Sequence, residues 1–303
     1  MTTAKATDAA THAVLSKAAH ENFPVAPAFV PRAWREDLMA VYGYARLVDD
    51  IGDRDLAPGG ADARALGVDP GQADEPLPML DALEADLHRV FATAHGGPPP
   101  RHPLLRALIP TVRRTGLTER PFLDLIEANR IDQRVSRYAD HAQLLDYCTY
   151  SANPVGRLVL GITGTATPER VRRSDAICTA LQLIEHLQDV AEDLARDRIY
   201  LPQEDMRRFH VTEADLAAPT ASASVRTLVA CATERARRLL DEGAPLVGSV
   251  HGRLRLLLAG FVGGGRAAAQ AIADAGYDVL ASAPKPTKSG LLYAAGTTLR
   301  RGT

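Results

Sequence analysis

Apolar residues recur along this chain at helical spacing and almost nowhere with the period-two alternation of a strand. Between Ala33 and Asp50, Leu38, Val41, Tyr42, Ala45 and Val48 form one helical stripe. Leu80–Ala94 is amphipathic and is broken by His95–Pro100, which carries Gly96, Gly97 and three prolines. Further helical patterns run over Leu104–Thr115, Arg120–Arg134, Gln143–Gly164, Pro168–Arg196, Ser222–Glu242 and Leu246–Ala275. Residues 54–78 hold Pro58, Gly59, Gly60, Gly67, Pro70, Gly71, Pro76 and Pro78 and read as a long loop or insertion. No repeat of fixed period stands out. The pattern predicts an all-α, single-domain helical bundle around a central volume, spanning residues 13–283, with 1–12 and the basic, turn-rich 284–303 as flexible tails.

Composition narrows the function classes. The chain has 303 residues, 46% hydrophobic and 24% charged, an ordinary globular balance with enough apolar content for a sizeable core. Its formal net charge of −2 gives no basic excess with which to neutralise a nucleic-acid backbone. Cys148, Cys178 and Cys231 are too widely spaced for a zinc knuckle and read as reduced thiols of a cytoplasmic protein. Met1–Ala10 has no apolar signal core. The apolar run Leu254–Gly265 is interrupted by Arg255 and ended by Arg266, too short to span a bilayer.

Two acidic segments carry the chemistry. Tyr42 through Asp53 holds Asp49 and Asp53; Gln182 through Asp193 holds Asp189 and Asp193, with Glu185 one turn earlier. A spacing of four puts both carboxylates of a pair on one helix face. If such a pair is partly buried, its repulsion at about 4 Å is on the order of 4 kcal/mol at an effective dielectric near 20, so the row calls for a cation. Hard oxygen donors without soft ligands favour Mg²⁺, which keeps waters and bridges to substrate phosphates. Arg46, three residues before Asp49, shares nearly the same face and suits a phosphate oxygen. The spacing alone is weak evidence. D-x-x-x-D occurs four times, also at Asp193/Asp197 and Asp274/Asp278. Asp197, flanked by Arg196 and Arg198, reads as a solvated helix face, and Gly276 lies between the second pair.

The flanking residues add what spacing lacks. Glu21-Asn22-Phe23-Pro24-Val25, Tyr42 through Asp53, Tyr147 through Arg157, Gln182 through Asp193 with Arg198–Pro202, and Ala275 through Val279 together resemble the squalene/phytoene synthase family over roughly His20–Leu280. The wording is most similar to the hydroxysqualene synthase branch of bacterial hopanoid biosynthesis. The resemblance implies an isoprenoid-synthase fold with two aspartate helices facing a deep pocket. It further implies an isoprenoid diphosphate as substrate, held by two or three Mg²⁺ ions on Asp49, Asp53, Asp189, Asp193 and Glu185. By the same resemblance Tyr42, Arg46 and Tyr150 lie near the diphosphate or the reacting carbons. Gln182, Gln188, Phe23, Asn153, Arg198 and Tyr200 then contact substrate. An apolar product implies peripheral membrane contact, and a pathway enzyme implies sister enzymes as partners.

Departures from the family's wording matter. Glu185 stands where an asparagine is usual, Gln188 where sister enzymes often have arginine, and Glu21-Asn22 replace a Ser/Lys-rich diphosphate contact. All three lower the positive charge. Holding two allylic diphosphates needs more cation than holding one, so the chain is expected to ionise a single, already coupled diphosphate, presqualene diphosphate, with water capture to hydroxysqualene. The rivals are head-to-head condensation of two farnesyl or two geranylgeranyl diphosphates, head-to-tail chain elongation, terpene cyclisation, and a non-catalytic helper of the same fold. Tyr42, Tyr44, Tyr150, Phe23 and Phe261 are candidate cation-facing aromatics, Gly156 and Ala152 are candidates for close substrate approach, and Asp50 and His186 are neighbours of the two rows.

Overall fold

The computed structural model describes residues 26–301. Helices α1 (Arg32–Gly52), α2 (Ala61–Leu66), α3 (Pro76–Ala92), α4 (Pro103–Thr115) and α5 (Arg120–Asp132), with residues 157–166, belong to one compact unit. The second unit comprises 135–156 and 167 onward. It holds α6 (His141–Ser151), the start of α7 (Asn153–Ile162), α8 (Pro168–Gln188), α9 (Val190–Ala195), α10 (Gln203–Arg208), α11 (Glu213–Leu216), α12 (Ala223–Gly243), α13 (Gly252–Asp274) and α14 (Lys288–Arg301). Among the described residues the only β pairing is a single bridge, Arg137 to Ile199, so the chain is all-α.

In the first unit α1 packs against α3, α4 and α5. Its inward stripe is Val41, Tyr44, Leu47, Val48 and Ile51, all buried. This corrects the expected stripe by a rotation. Tyr44 and Leu47 are inside, while Tyr42 and Ala45 are only half-buried. Tyr44 meets Phe122 edge-on at 5.2 Å and its hydroxyl donates to the Phe122 carbonyl at 2.9 Å. It is therefore a core residue with its polar tip satisfied, and not a cation-facing aromatic. In the second unit α8 packs along α12, and α13 lies against both. The core there is Ala180, Val225, Val229, Leu240, Ala259, Val262 and Ile272.

Five expectations differ from the structure. Residues 54–78 contain α2, a 3₁₀ turn at Pro70–Gln72 and the start of α3 rather than one long loop. Prolines at the first turn begin helices because their missing N–H is unneeded there. The segment 143–164 is two helices, parted at Ala152, and 168–196 is two helices, parted at Asp189. The supposed tail forms α14, which packs on α13; its Ala- and Gly-rich inner face carries little hydropathy signal. Finally, α13 is 23 residues long with a mean hydropathy of 1.3 over its most apolar stretch, long enough to cross a membrane, but most of that stretch is buried as core.

Candidate functional site

On α1, Tyr42, Arg46, Asp49 and Asp53 fall at i, i+4, i+7 and i+11, within about 60° of one face at 100° per residue. The opposite face is the buried stripe, so core packing fixes where this polar row points. Asp53 caps the helix, its N–H donating to the Asp49 carbonyl at 2.8 Å, and the turn closes through Arg54 at φ 59°. Arg46 Nε lies 2.9 Å from Asp50 Oδ1, and Asp50 is almost fully buried. Asp50 is thus a buried partner of Arg46 rather than a solvated charge, and it restrains the guanidinium on the row.

Asp49 is the most perturbed group of this row. Water reaches it, yet protein crowds it closely enough that lost hydration pushes its pKa up to about 7. The neighbouring Asp53 adds to that push. The amide of Asn129 on α5 opposes it, donating to Asp49 Oδ1 at 3.1 Å, as does Arg46. Gln133 donates from Nε2 to the Gly52 carbonyl at 3.0 Å and to the Asn129 carbonyl at 3.2 Å. Asn129 and Gln133 therefore seat the end of α1. Neither was picked out in the sequence, where nothing marks a contact 80 residues away.

The second row sits on a break. The Asp189 N–H still donates to Glu185 O at 3.0 Å and the Asp193 N–H to Asp189 O at 2.8 Å, but Asp189 leaves helical dihedrals at φ −104°, ψ 12°. So Glu185 and Asp189 end one helix and Asp193 lies in the next, instead of all three sharing a straight helix. Burial pushes Asp193 up to about 7, with Asp189 adding and Arg198 opposing. Asp193 Oδ2 is buried and has no hydrogen-bond partner among the described residues. Burial also raises Asp189; Glu192 adds to this and Lys285 opposes it. Asp197 is not on the helix face at all. It takes φ 58° in the turn that follows, where Arg137 donates to its carbonyl at 2.6 Å and to Oδ1 at 2.8 Å. Asp278 likewise is structural, accepting from Ala221 N at 3.0 Å and pairing with Arg226 at 2.7 Å.

His186 is neutral: burial lowers its pKa to about 3. Its ring stacks on Tyr200 at 3.7 Å, and Tyr138 and Tyr147 complete an aromatic cluster. Gln182 Nε2 lies 3.2 Å from His186 Nε2. With Gln182 donating, the imidazole proton is on Nδ1, which faces Asp193 Oδ2 at 3.9 Å. His186 thus packs in the aromatic cluster and hydrogen-bonds to Gln182. Gln182 lies half-buried against it, and Tyr200 is a buried member of the cluster. Gln188 donates to the Pro284 carbonyl. Asn153, read as a substrate contact, is buried and accepts from Thr179 Oγ1 at 2.9 Å, so it ties α7 to α8. Gly156 faces α8: an added Cβ would sit 2.3 Å from Ser174 Oγ and 2.6 Å from Cys178 Sγ. Its smallness serves helix packing and not substrate approach. Tyr150 is half-buried at the end of α6, Arg198 and Phe261 are half-buried, Glu185 is exposed, and Phe23 lies outside the described residues.

These donors fit a hard divalent cation. Each row brings two carboxylates, burial raises the pKa of Asp49, Asp189 and Asp193, and Asp193 Oδ2 has no hydrogen-bond partner among the described residues, a donor set that suits a cation. Among the described residues no three His, Cys, Asp or Glu side chains converge as a complete metal cage. Mg²⁺ does not need one, since it keeps waters and takes phosphate oxygens.

Comparison with known proteins gives the class. The chain matches the squalene/phytoene synthase family over residues 16–290 and belongs to that family. Its chemistry is of the squalene/phytoene synthase type. It is 33% identical over 231 residues to a hydroxysqualene synthase of Rhodopseudomonas palustris, covering 76% of this chain and 71% of that one. Among solved structures it is similar to a squalene synthase from Alicyclobacillus acidocaldarius, at 40% identity and a TM-score of 0.74, covering 93% and 97% of the two chains. A dehydrosqualene synthase structure shares the fold at a TM-score of 0.79 and 22% identity, over 98% of both chains.

Proposed function

We propose that the chain is a Mg²⁺-dependent isoprenoid synthase that ionises presqualene diphosphate and captures the cation with water, giving hydroxysqualene and free diphosphate. Asp49 and Asp53 of the first row would hold Mg²⁺, and Asp189, Asp193 and Glu185 of the second would do so as well; the metal would supply charge neutralisation for a leaving diphosphate. The C–O bond breaks with its electron pair on the diphosphate, the cyclopropylcarbinyl cation rearranges with cleavage of a ring C–C bond, a water oxygen bonds to the resulting open-chain cation, and one proton is released. No reductant enters. Arg46, on the face of the first row, binds a phosphate oxygen. Tyr42 and Tyr150 line the approach.

The observation that carries this reading is that the second row itself, residues 182–193, holds no Lys or Arg, the cations that reach it being Arg196, Arg198 and Lys285 from outside it. Gln188 is uncharged and its amide is engaged by Pro284 O, His186 is neutral, and Glu185 adds negative charge. One diphosphate with its metal can be balanced there more readily than two. The hydroxysqualene synthase relatives at 33% identity support the same choice. The similar structure named as a squalene synthase keeps condensation of two farnesyl diphosphates as the second reading. A non-catalytic role is disfavoured, because both aspartate pairs are retained. Incubation with Mg²⁺ and either presqualene diphosphate or farnesyl diphosphate, with identification of the lipid, decides. Hydroxysqualene from the first and no product from the second is the expected result. Presqualene diphosphate made from farnesyl diphosphate overturns it.

A further inference from the structure

We propose that the outer face of α14 is a docking surface for an anionic lipid membrane. The inner face of α14 is firmly placed. Gly263 of α13 has no Cβ, and one added there would lie 2.5 Å from Ala295 N and 2.6 Å from Ala295 Cα, so the two helices meet backbone to backbone. Arg266 donates to Thr298 Oγ1 at 3.0 Å, and Arg255 donates to the Leu299 carbonyl at 2.8 Å. A helix held this way has a fixed outer face, and that face is apolar where solvent should favour polar residues. Leu292 is 77% exposed and Tyr293 72%, against 45% for the next most exposed large hydrophobic among the described residues.

Charge chooses the partner. Residues 279–303 contain Lys285, Lys288, Arg300 and Arg301 and no Asp or Glu, in a chain whose net charge is −2. Lys288, Leu292, Tyr293 and Arg300 fall within about 140° of one helix face at 100° per residue. Lys285 and Lys288, both exposed, precede the apolar pair and Arg300 follows it. Two adjacent apolar side chains are too few for the core of a stable protein interface, which needs about 800 Å² per partner. They suffice as an interfacial anchor when cations flank them, because Tyr sits with its ring in the acyl boundary and its hydroxyl among headgroups. The segment leading into α14 also reaches the second acidic row, through Gln188 to the Pro284 carbonyl. The surface is argued from α14 alone and stands whatever substrate the aspartate rows accept.

The test is co-sedimentation of the full chain with vesicles of phosphatidylcholine alone, or mixed in equal parts with phosphatidylglycerol. The expected result is binding to the mixed vesicles only, weakened by salt, and reduced about tenfold or more by Leu292→Ser with Tyr293→Ser. Lys285→Gln with Lys288→Gln lowers it as well. Melting temperature and solution mass of the serine variant should match the parent. If the serine variant fails to fold, Tyr293→Trp replaces it, and its emission must shift to the blue on adding mixed vesicles. No binding by the parent, undiminished binding by a folded serine variant, or an unshifted tryptophan overturns the proposal. So does a serine variant that turns a dimeric parent into monomer, which would assign the face to a second copy.

Discussion

Gly52→Ala tests whether α5 positions the first acidic row. An added Cβ at Gly52 would lie 1.9 Å from Asn129 Oδ1 and 2.8 Å from its Cγ. A methyl side chain has no rotamer through which to relax, so Asn129 must move. Asn129 is buried, and its amide is held to Asp49 Oδ1 at 3.1 Å and Leu125 O at 3.3 Å. Overpacking of this kind costs about 1–3 kcal/mol, and the lost hydrogen bond to a carboxylate about 1.5–3 kcal/mol. Alanine returns about 0.5–1 kcal/mol of helix propensity. A net loss of about 1.5–5.5 kcal/mol follows, or roughly 3–22 °C in Tm for a unit of this size. Because the Asn129 amide favours ionised Asp49, the variant should also need more Mg²⁺, read as the concentration that half-saturates thermal stabilisation in the presence of inorganic diphosphate. Asn129→Ala removes the clashing amide and leaves a contact near 3.1 Å at its Cβ. In that background Gly52→Ala should cost at least about 1 kcal/mol less. Costs that add to within about 0.5 kcal/mol would refute the coupling of α1 to α5.

Other outcomes follow from the same geometry. Asp49→Ala and Asp189→Ala should each abolish turnover while leaving the helical circular dichroism intact; retained activity in either would sink the metal assignment. Asp193 titrates near 7 when folded and near 4 when unfolded, so between those values the folded state holds more protons and stability without Mg²⁺ falls as pH rises. The shift corresponds to on the order of 4 kcal/mol; Asp49 acts in the same direction, but water reaches it and only part of its shift becomes a cost. Melting without Mg²⁺ should therefore drop from about pH 5 to pH 8, and Asp193→Asn should flatten the drop. Arg137→Ala should lower the melting temperature, since it unfastens the turn at Asp197 and the link to Glu213 at 2.8 Å, and lysine should not restore the forked contact.

The helices were legible where one face is buried over several turns. Tyr44, Leu47 and Val48 with Ile51 are such a face, and α1 ends within two residues of its expected boundary. The break at Ala152 is marked in the sequence by Asn153-Pro154, where the proline's missing N–H cannot continue the ladder, and that signal was passed over. The break at Asp189 was not legible, because no proline or glycine stands near it and the i→i+4 bonds on both sides persist. Nor was α14. Its docking depends on Gly263 meeting Ala295 backbone to backbone, and small residues give no hydrophobic period.

The acidic rows were legible as residues but not as environments, and the environments distinguish them from their look-alikes. All four D-x-x-x-D pairs have the same spacing, yet Asp197 and Asp278 each meet an arginine and Asp278 three backbone N–H groups, which satisfies them within the chain. The same bonds hold the Asp278 pKa below its usual value, whereas lost hydration outweighs the Asn129 amide at Asp49 and meets no donor at Asp193 Oδ2, pushing both pKa values up to about 7. A carboxylate whose partners are already in the fold has no need of a metal. One buried with an oxygen unanswered, as at Asp193, keeps its proton up to about pH 7. Donor counting of this kind needs contacts between residues as distant as Asn129 and Asp49, which no window of sequence contains.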